Sequence, residues 1–153
     1  MYIGRFAPTP SGPLHFGSMV TAVASFLDAK SNKGKWLVKI DDIDQHRAMK
    51  GGDITILNSL ERLHLYWDMP VVYQSRRIKE YQNQLERLKK FNMTYLCQCS
   101  RRDILKLAVK GVDGFIYPGI CRGKKVELSD QVAHRVKVNS ALITTEDLIQ
   151  GLV

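Results

Sequence analysis

Apolar runs of two kinds alternate from Tyr2 to Leu88. Tyr2 to Ala7 is short, with β-branched and aromatic side chains, and runs into Pro-Thr-Pro-Ser-Gly-Pro, which predicts a strand ending in a rigid loop. Ser18 to Lys30 is longer, rich in Ala, Met, Val, Phe and Leu and free of breakers, which predicts a largely buried helix. After the turn-forming Ser31-Asn32-Lys33-Gly34, Trp36 to Ile40 predicts a second strand. Asp53 is placed to cap a helix whose Ile54, Leu57, Leu60 and Leu63 share one face. Val71 to Tyr73 predicts a third strand, and Ile78, Tyr81, Leu85 and Leu88 mark another amphipathic helix. An order of β, α, β, α, β, α argues for an α/β fold: a parallel sheet covered by helices, the mononucleotide-binding half of a doubly wound Rossmann-type domain. Beyond Tyr95 the pattern changes. Cys97 to Cys121 reads as an irregular insertion around one short helix, and His134 to Val138 with Ala141 to Ile143 suggests a small sheet.

Composition narrows the class without changing the fold. At 153 residues, 44% hydrophobic and 25% charged, the chain has the make-up of one folded domain, not of a disordered or low-complexity segment. Its longest uncharged stretch, Phe6 to Leu27, is interrupted by three prolines, two glycines and His15, so no membrane partner is expected. Arg5 and the prolines stand where an apolar export signal would be, which makes the cytoplasm the expected location and a monomer the default state. The net charge of +8 is unevenly distributed. Arg76 through Lys137 holds fifteen Lys and Arg against six Asp and Glu, whereas the rest of the chain has eight against nine. A segment of this kind suits a polyanion such as RNA, although a basic run is also an ordinary way to build a solvated face.

The first strand-to-helix connection, Pro8 to Ser18, occupies the usual ligand position of an open α/β sheet. Its three prolines restrict the backbone, Gly12 and Gly17 permit close approach of a ligand, and the helix that follows offers amides to an anion. His15 can donate to a phosphate. The loop is neither a Gly-rich dinucleotide fingerprint nor a P-loop.

Arg5-Phe6-Ala7-Pro8-Thr9-Pro10-Ser11-Gly12-Pro13-Leu14-His15-Phe16-Gly17-Ser18 resembles the opening of class I glutamyl-type aminoacyl-tRNA synthetases, with His15 to Ser18 at the class signature His-Ile-Gly-His. Trp36 to Asp44 is similar to the second strand of that family and the acidic motif after it. The His-Phe-Gly-Ser form, Val72-Tyr73-Gln74-Ser75-Arg76 and the cysteine pattern resemble the glutamyl-Q tRNA(Asp) branch more than full glutamyl-tRNA synthetases. The resemblance implies ATP-dependent activation of L-glutamate and its transfer to the queuosine base of an aspartate tRNA. It implies that Arg5, Phe6, Ala7, Pro8, Thr9 and Asp41 contact glutamate. Pro8, Thr9, Pro10, Ser11, Gly12, His15, Phe16, Gly17 and Ser18 would surround ATP with its Mg²⁺, with His15 and Gly17 at the reacting phosphate. Three positions depart from the family: Asp41 stands where Glu is usual, Lys39 where Arg is, and Gln45-His46 where Pro-Pro is. The expected organisation is a first Rossmann half over residues 1–96, a zinc insertion over 97–125 and the start of an acceptor-end-binding insertion over 126–153. The second Rossmann half and second catalytic signature would lie outside this chain. A glutamyl-tRNA synthetase catalytic fragment and a non-catalytic, zinc-stapled RNA-binding module are the alternatives.

Cys97, Cys99 and Cys121 are odd in number, so a disulfide framework is not expected. By spacing they are either inert buried thiols or three ligands of a tetrahedral zinc site. The family pattern of Cys-x-Cys followed by Tyr-x-x-x-Cys implies structural zinc on Cys97, Cys99, Tyr117 and Cys121, with water or His134 as other fourth ligands. Arg101, Arg102, Arg122, Lys124 and Lys125 would then face RNA. His46 and His64 read as surface residues, and Trp36, Trp67 and Tyr95 as packing residues.

Overall fold

The computed structural model describes residues 1–111, 114–129, 132–138 and 144–152. The chain divides into two compact units, Met1–Tyr81 and Gln82–Val153.

The first unit is built on a parallel three-stranded sheet of order β1-β2-β3. Strand β1 (Ile3–Phe6) pairs with β2 (Lys35–Ile40) from Ile3 opposite Lys35 to Phe6 opposite Val38. The end of β2 pairs with β3 (Val72–Tyr73) through Lys39–Val72 and Ile40–Tyr73. Parallel strands need crossovers, supplied here by helix α1 (Phe16–Ser31) and helix α2 (Gly52–Arg62). The alternation along β2 is strict: Trp36, Val38 and Ile40 are buried, and their neighbours are half-buried. These three join Phe6, Ala22, Ala29, Ile56, Leu60 and Leu65 in one core, where each large side chain contributes about 1.5–3 kcal/mol by burial. Trp36 meets Phe26 edge-on at 5.3 Å between ring centres and donates its indole N–H to Ser25 Oγ at 3.0 Å, as a packing residue should.

Three expectations for this unit need correction. Helix α1 is not largely buried: only Ala22 and Ala29 are fully buried, and Phe16, Val20, Val23 and Leu27 are exposed on its outer face, because the helix covers the sheet with one side only. Asp53 does not cap α2. The N-cap is Gly51, in the left-handed region at φ 75°, and Asp53 sits in the first turn accepting a hydrogen bond from Tyr73 Oη at 3.0 Å. The buried face of α2 is Ile56 and Leu60, with Leu57 partly buried, whereas Ile54 and Leu63 are exposed. Each step of three residues drifts by about 60° around a helix, so Ile54 and Leu63, three such steps apart, lie about 180° from each other and cannot both share the face of Ile56 and Leu60.

After β3 a short 3-10 turn (Gln74–Arg77) leads into α3 (Ile78–Lys90), where the predicted amphipathic helix lies and which has no fully buried residue. In the second unit β4 (Thr94–Cys97) is followed by α4 (Arg101–Leu107), whose start is closed by a capping box: Ser100 Oγ accepts from the Asp103 amide and Asp103 from the Ser100 amide. A small hairpin, β5 (Val109–Gly111) and β6 (Gly114–Ile116), follows. Strand β7 (Ala133–Val136) pairs antiparallel with β4; the segment Ala141 to Ile143, expected to join it in a small sheet, lies outside the described residues. A last hairpin joins β8 (Glu146–Asp147) to β9 (Gly151–Leu152). Among the described residues of this unit, the only buried side chains are Cys97 and Cys121.

Candidate functional site

The loop from β1 to α1 encloses a cavity of about 380 Å³ at the carboxyl end of the strand. Phe6, Ala7, Pro8, Thr9, Ser11, Gly12, His15, Gly17 and Ser18 all line it, so most of the residues singled out from the sequence converge on one space. Gly12 holds φ 136°, which a side chain would strain. Thr21, Ile56 and Arg47 complete the wall with Pro13 and Leu14.

His15 is the N-cap of α1: its Nδ1 accepts from the Ser18 amide at 3.3 Å, and its Nε2 lies 3.0 Å from Ser18 Oγ. An accepting Nδ1 puts the ring proton on Nε2, so Nε2 donates to Ser18 Oγ or to a ligand in its place. The Met19 amide is taken by the His15 carbonyl. Among the described residues this leaves the Phe16 and Gly17 amides free at the helix start, where the dipole favours an anion.

Four expected site residues do not line this cavity. Arg5 alternates with the buried Gly4 and Phe6 and is exposed on the other side of β1. Phe16, 78% exposed, belongs to an outward stripe of α1 with Val20, Val23 and Leu27. Pro10 turns its carbonyl to the Met49 amide at 2.8 Å. Asp41 Oδ1 lies 2.5 Å from Lys39 Nζ, an ion pair without hydrogen-bond alignment, so that buried oxygen has no hydrogen-bond partner.

The segment after β2 is tied to the loop after β1 at two points: the Asp41 amide donates to the Pro8 carbonyl at 3.0 Å and the Met49 amide to that of Pro10. Asp42 braces the segment from the other side, accepting from the Ser75 amide at 2.8 Å and Ser75 Oγ at 2.6 Å. Partial burial pushes its carboxyl up, but the Ser75 hydrogen bonds outweigh burial and hold it below the ordinary range. Asp44 accepts from Arg47 Nε at 2.7 Å and from the His46 and Arg47 amides, and the Arg47 bond keeps it acidic. Thr21, Ile56 and Arg47 are wall residues that the sequence did not point to, and Arg47 is the charged one. Its only local signal is the three-residue spacing from Asp44, common on any turn.

In the second unit the Sγ atoms of Cys97, Cys99 and Cys121 lie within 4.8 Å of one another. Cys99 and Cys121 are 3.4 Å apart, and Tyr117 Oη lies 3.2 Å from Cys97 Sγ and 3.8 Å from Cys99 Sγ. Sulfurs of a tetrahedral zinc ion, each ~2.3 Å from the metal, stand about 3.8 Å apart, so the donor set fits such an ion. Burial pushes the Cys97 thiol up, but hydrogen bonds, chiefly from Tyr117 and then Arg135, bring it down to about 6. Burial and the Cys121 contact push Cys99 up to about 11, and burial likewise raises the Tyr117 phenol. Cys97 is lowered while Cys99 and Tyr117 are raised, as expected where like charges would otherwise crowd one small space. Arg135 stacks on the Tyr117 ring at 3.9 Å. His134 is exposed on β7 opposite Leu96 and is not part of the cluster.

Residues 3–110 match the family model described as tRNA synthetases class I (E and Q), catalytic domain. Among curated relatives, glutamyl-Q tRNA(Asp) synthetase of Neisseria meningitidis serogroup B is 46% identical over 154 residues, covering 99% of this chain and 52% of the relative. That of Neisseria gonorrhoeae is 47% identical with the same coverage. The chain thus spans about half the length of the curated relatives it matches. The crystal structure of a glutamate tRNA ligase from Elizabethkingia meningosepticum in complex with its amino acid shares the fold, with a TM-score of 0.75 at 23% identity, over 99% of this chain and 35% of that one. By the extent of the family match and the parallel sheet that carries it, the chain belongs to the class I tRNA synthetases of the E and Q type.

Proposed function

We propose that this chain supplies the nucleotide-binding part of a glutamyl-Q tRNA(Asp) synthetase, which activates glutamate with ATP and transfers it to the queuosine base of tRNA(Asp). The observation that carries the reading is the convergence of the Pro-rich loop, His15 and the start of α1 on one cavity. In the activation step a glutamate carboxylate oxygen attacks the α-phosphorus of ATP, forming the mixed anhydride, and the bond to pyrophosphate breaks. The protein then needs to align reactants and offset negative charge, with no nucleophilic side chain. His15 Nε2 and the Phe16 and Gly17 amides face the phosphates, Thr9 and Ser11 supply hydroxyls, and Mg²⁺ accompanies the nucleotide. Arg5 and Asp41 are assigned to the glutamate carboxylate and ammonium on the family resemblance alone, since neither lines the cavity, and Lys39 offsets the Asp41 charge.

Zinc on Cys97, Cys99, Cys121 and Tyr117 belongs to the same proposal. A unit whose described residues bury only two cysteines has almost no apolar core, and a metal staple is the usual substitute. The ion would supply structure, not chemistry, and fix the fold beside Arg101, Arg102, Arg122, Lys124 and Lys125, which we assign to tRNA contact. No described helix is long and apolar enough to cross a membrane.

Glutamate-dependent exchange of pyrophosphate into ATP, measured on this chain and on a full-length relative carrying the same loop, tests the reading. Exchange in the relative that disappears with His15→Ala is expected, and exchange unaffected by that change would reject the assigned site. The charge excess between Arg76 and Lys137 favours one second reading, an RNA-binding module without catalysis, which predicts tRNA binding that does not respond to ATP or glutamate.

A further inference from the structure

Among the described residues Arg47 is the one permanently charged side chain on the cavity wall, and none of them lines that wall with a carboxylate. Its guanidinium is used on one edge only. Nε donates to Asp44 Oδ2 at 2.7 Å, while Nη1 and Nη2 have no hydrogen-bond partner among the described residues. The turn that carries it is not free to drift. Asp44 is held by the His46 and Arg47 amides, the Ala48 amide closes onto the Asp44 carbonyl at 2.8 Å, and Met49, two residues beyond Arg47, is fastened to Pro10. A guanidinium fixed at Nε presents its two terminal amino groups as an oriented pair of donors, the geometry that suits phosphate oxygens.

We propose that Arg47 binds the polyphosphate of ATP through Nη1 and Nη2, with Asp44 as the residue that positions it. This rests on the nucleotide reading of the cavity given above and names a contact that reading does not require. A polyphosphate, not the glutamate carboxylate, is the occupant that matches the wall. Thr9, Ser11 and Ser18 bring hydroxyls to the same space as Arg47, and a chain of phosphates offers enough acceptors for all of them, whereas one carboxylate does not.

Equilibrium binding of Mg²⁺-ATP, tripolyphosphate, adenosine and glutamate to this chain tests the inference, using wild type, Arg47→Ala, Arg47→Lys and Asp44→Asn. Arg47→Ala is expected to weaken ATP and tripolyphosphate by about 10- to 100-fold and to leave adenosine unchanged. Arg47→Lys should recover part of the loss, since the charge returns without the fork. Asp44→Asn should give a smaller loss of the same kind. Arg47 is 69% exposed, so its variants should unfold at the wild-type temperature. Tripolyphosphate affinity unchanged in Arg47→Ala overturns the inference while wild-type ATP binding keeps the nucleotide reading. An equal loss of adenosine, or a loss confined to glutamate, also overturns it. Wild-type chain that binds neither ATP nor tripolyphosphate rejects both.

Discussion

The amide of Met49 donates to the carbonyl of Pro10 at 2.8 Å, and this contact joins the loop after β1 to the loop after β2. Gly52 lies against the same carbonyl, so close that a Cβ there would collide with Pro10. The cavity wall contains residues from both loops, and its shape depends on this junction.

Gly52→Ala should therefore destabilise the chain by about 1–3 kcal/mol, because backbone must move to admit one methyl group. Gly51→Ala is the control: nothing lies within 4 Å of a Cβ there, and only the φ of 75° resists it, at about 1 kcal/mol. Urea denaturation of both variants should rank them in that order. Equal losses would place the cost in backbone conformation, not in contact with Pro10.

His15 has two roles that one substitution can separate. Asn is a better N-cap than His, so His15→Asn should keep or slightly raise thermal stability. It removes the imidazole from the cavity, so ATP affinity should fall. His15→Ala should lower both, with a stability loss of about 0.5–1 kcal/mol. Differential scanning calorimetry with and without Mg²⁺-ATP reads the two effects together.

Acid should loosen the segment after β2. The Asp42 carboxyl is lower in the folded chain than its ordinary value of 3.8, so the unfolded chain takes up its proton first as pH falls. Its stabilisation is complete above pH of about 4 and lost as pH drops through the folded value. Asp42→Asn should cost about 1–2 kcal/mol at neutral pH and flatten the loss of stability below pH 4. An unchanged acid slope would assign that slope to other carboxylates, with Asp68, held low by Lys30 and the Trp36 amide, next in line.

The chain should bind one zinc per molecule by elemental analysis of protein prepared with zinc and freed of excess metal. Cys97→Ser and Cys121→Ser should each abolish stoichiometric binding and lower the unfolding temperature of the second unit. Tyr117→Phe should retain the metal with weaker affinity, as water replaces the phenol. Zinc at full stoichiometry in both cysteine variants would remove the proposed site.

Much was legible in the chain itself. The alternation over Trp36 to Ile40 announces β2 because its period reports which face is buried, and the breaker-free run after the prolines announces the helix at α1 but not how much of it is exposed. Cys97-Gln98-Cys99 is a pair that the sequence sets side by side, whereas Cys121, 22 residues beyond Cys99, joins it only through the fold; spacing alone left inert thiols as open as a ligand set, which the family resemblance implied. The tertiary structure decided which loop residues face the cavity. Arg47 reaches it because backbone hydrogen bonds join residues 8 and 10 to 41 and 49, pairings between distant peptide groups that no side-chain pattern encodes. Asp53 is drawn from capping α2 to Tyr73 on β3, because a contact between elements far apart in the chain outweighs local preference, while Phe16 is left outward by the turn of α1.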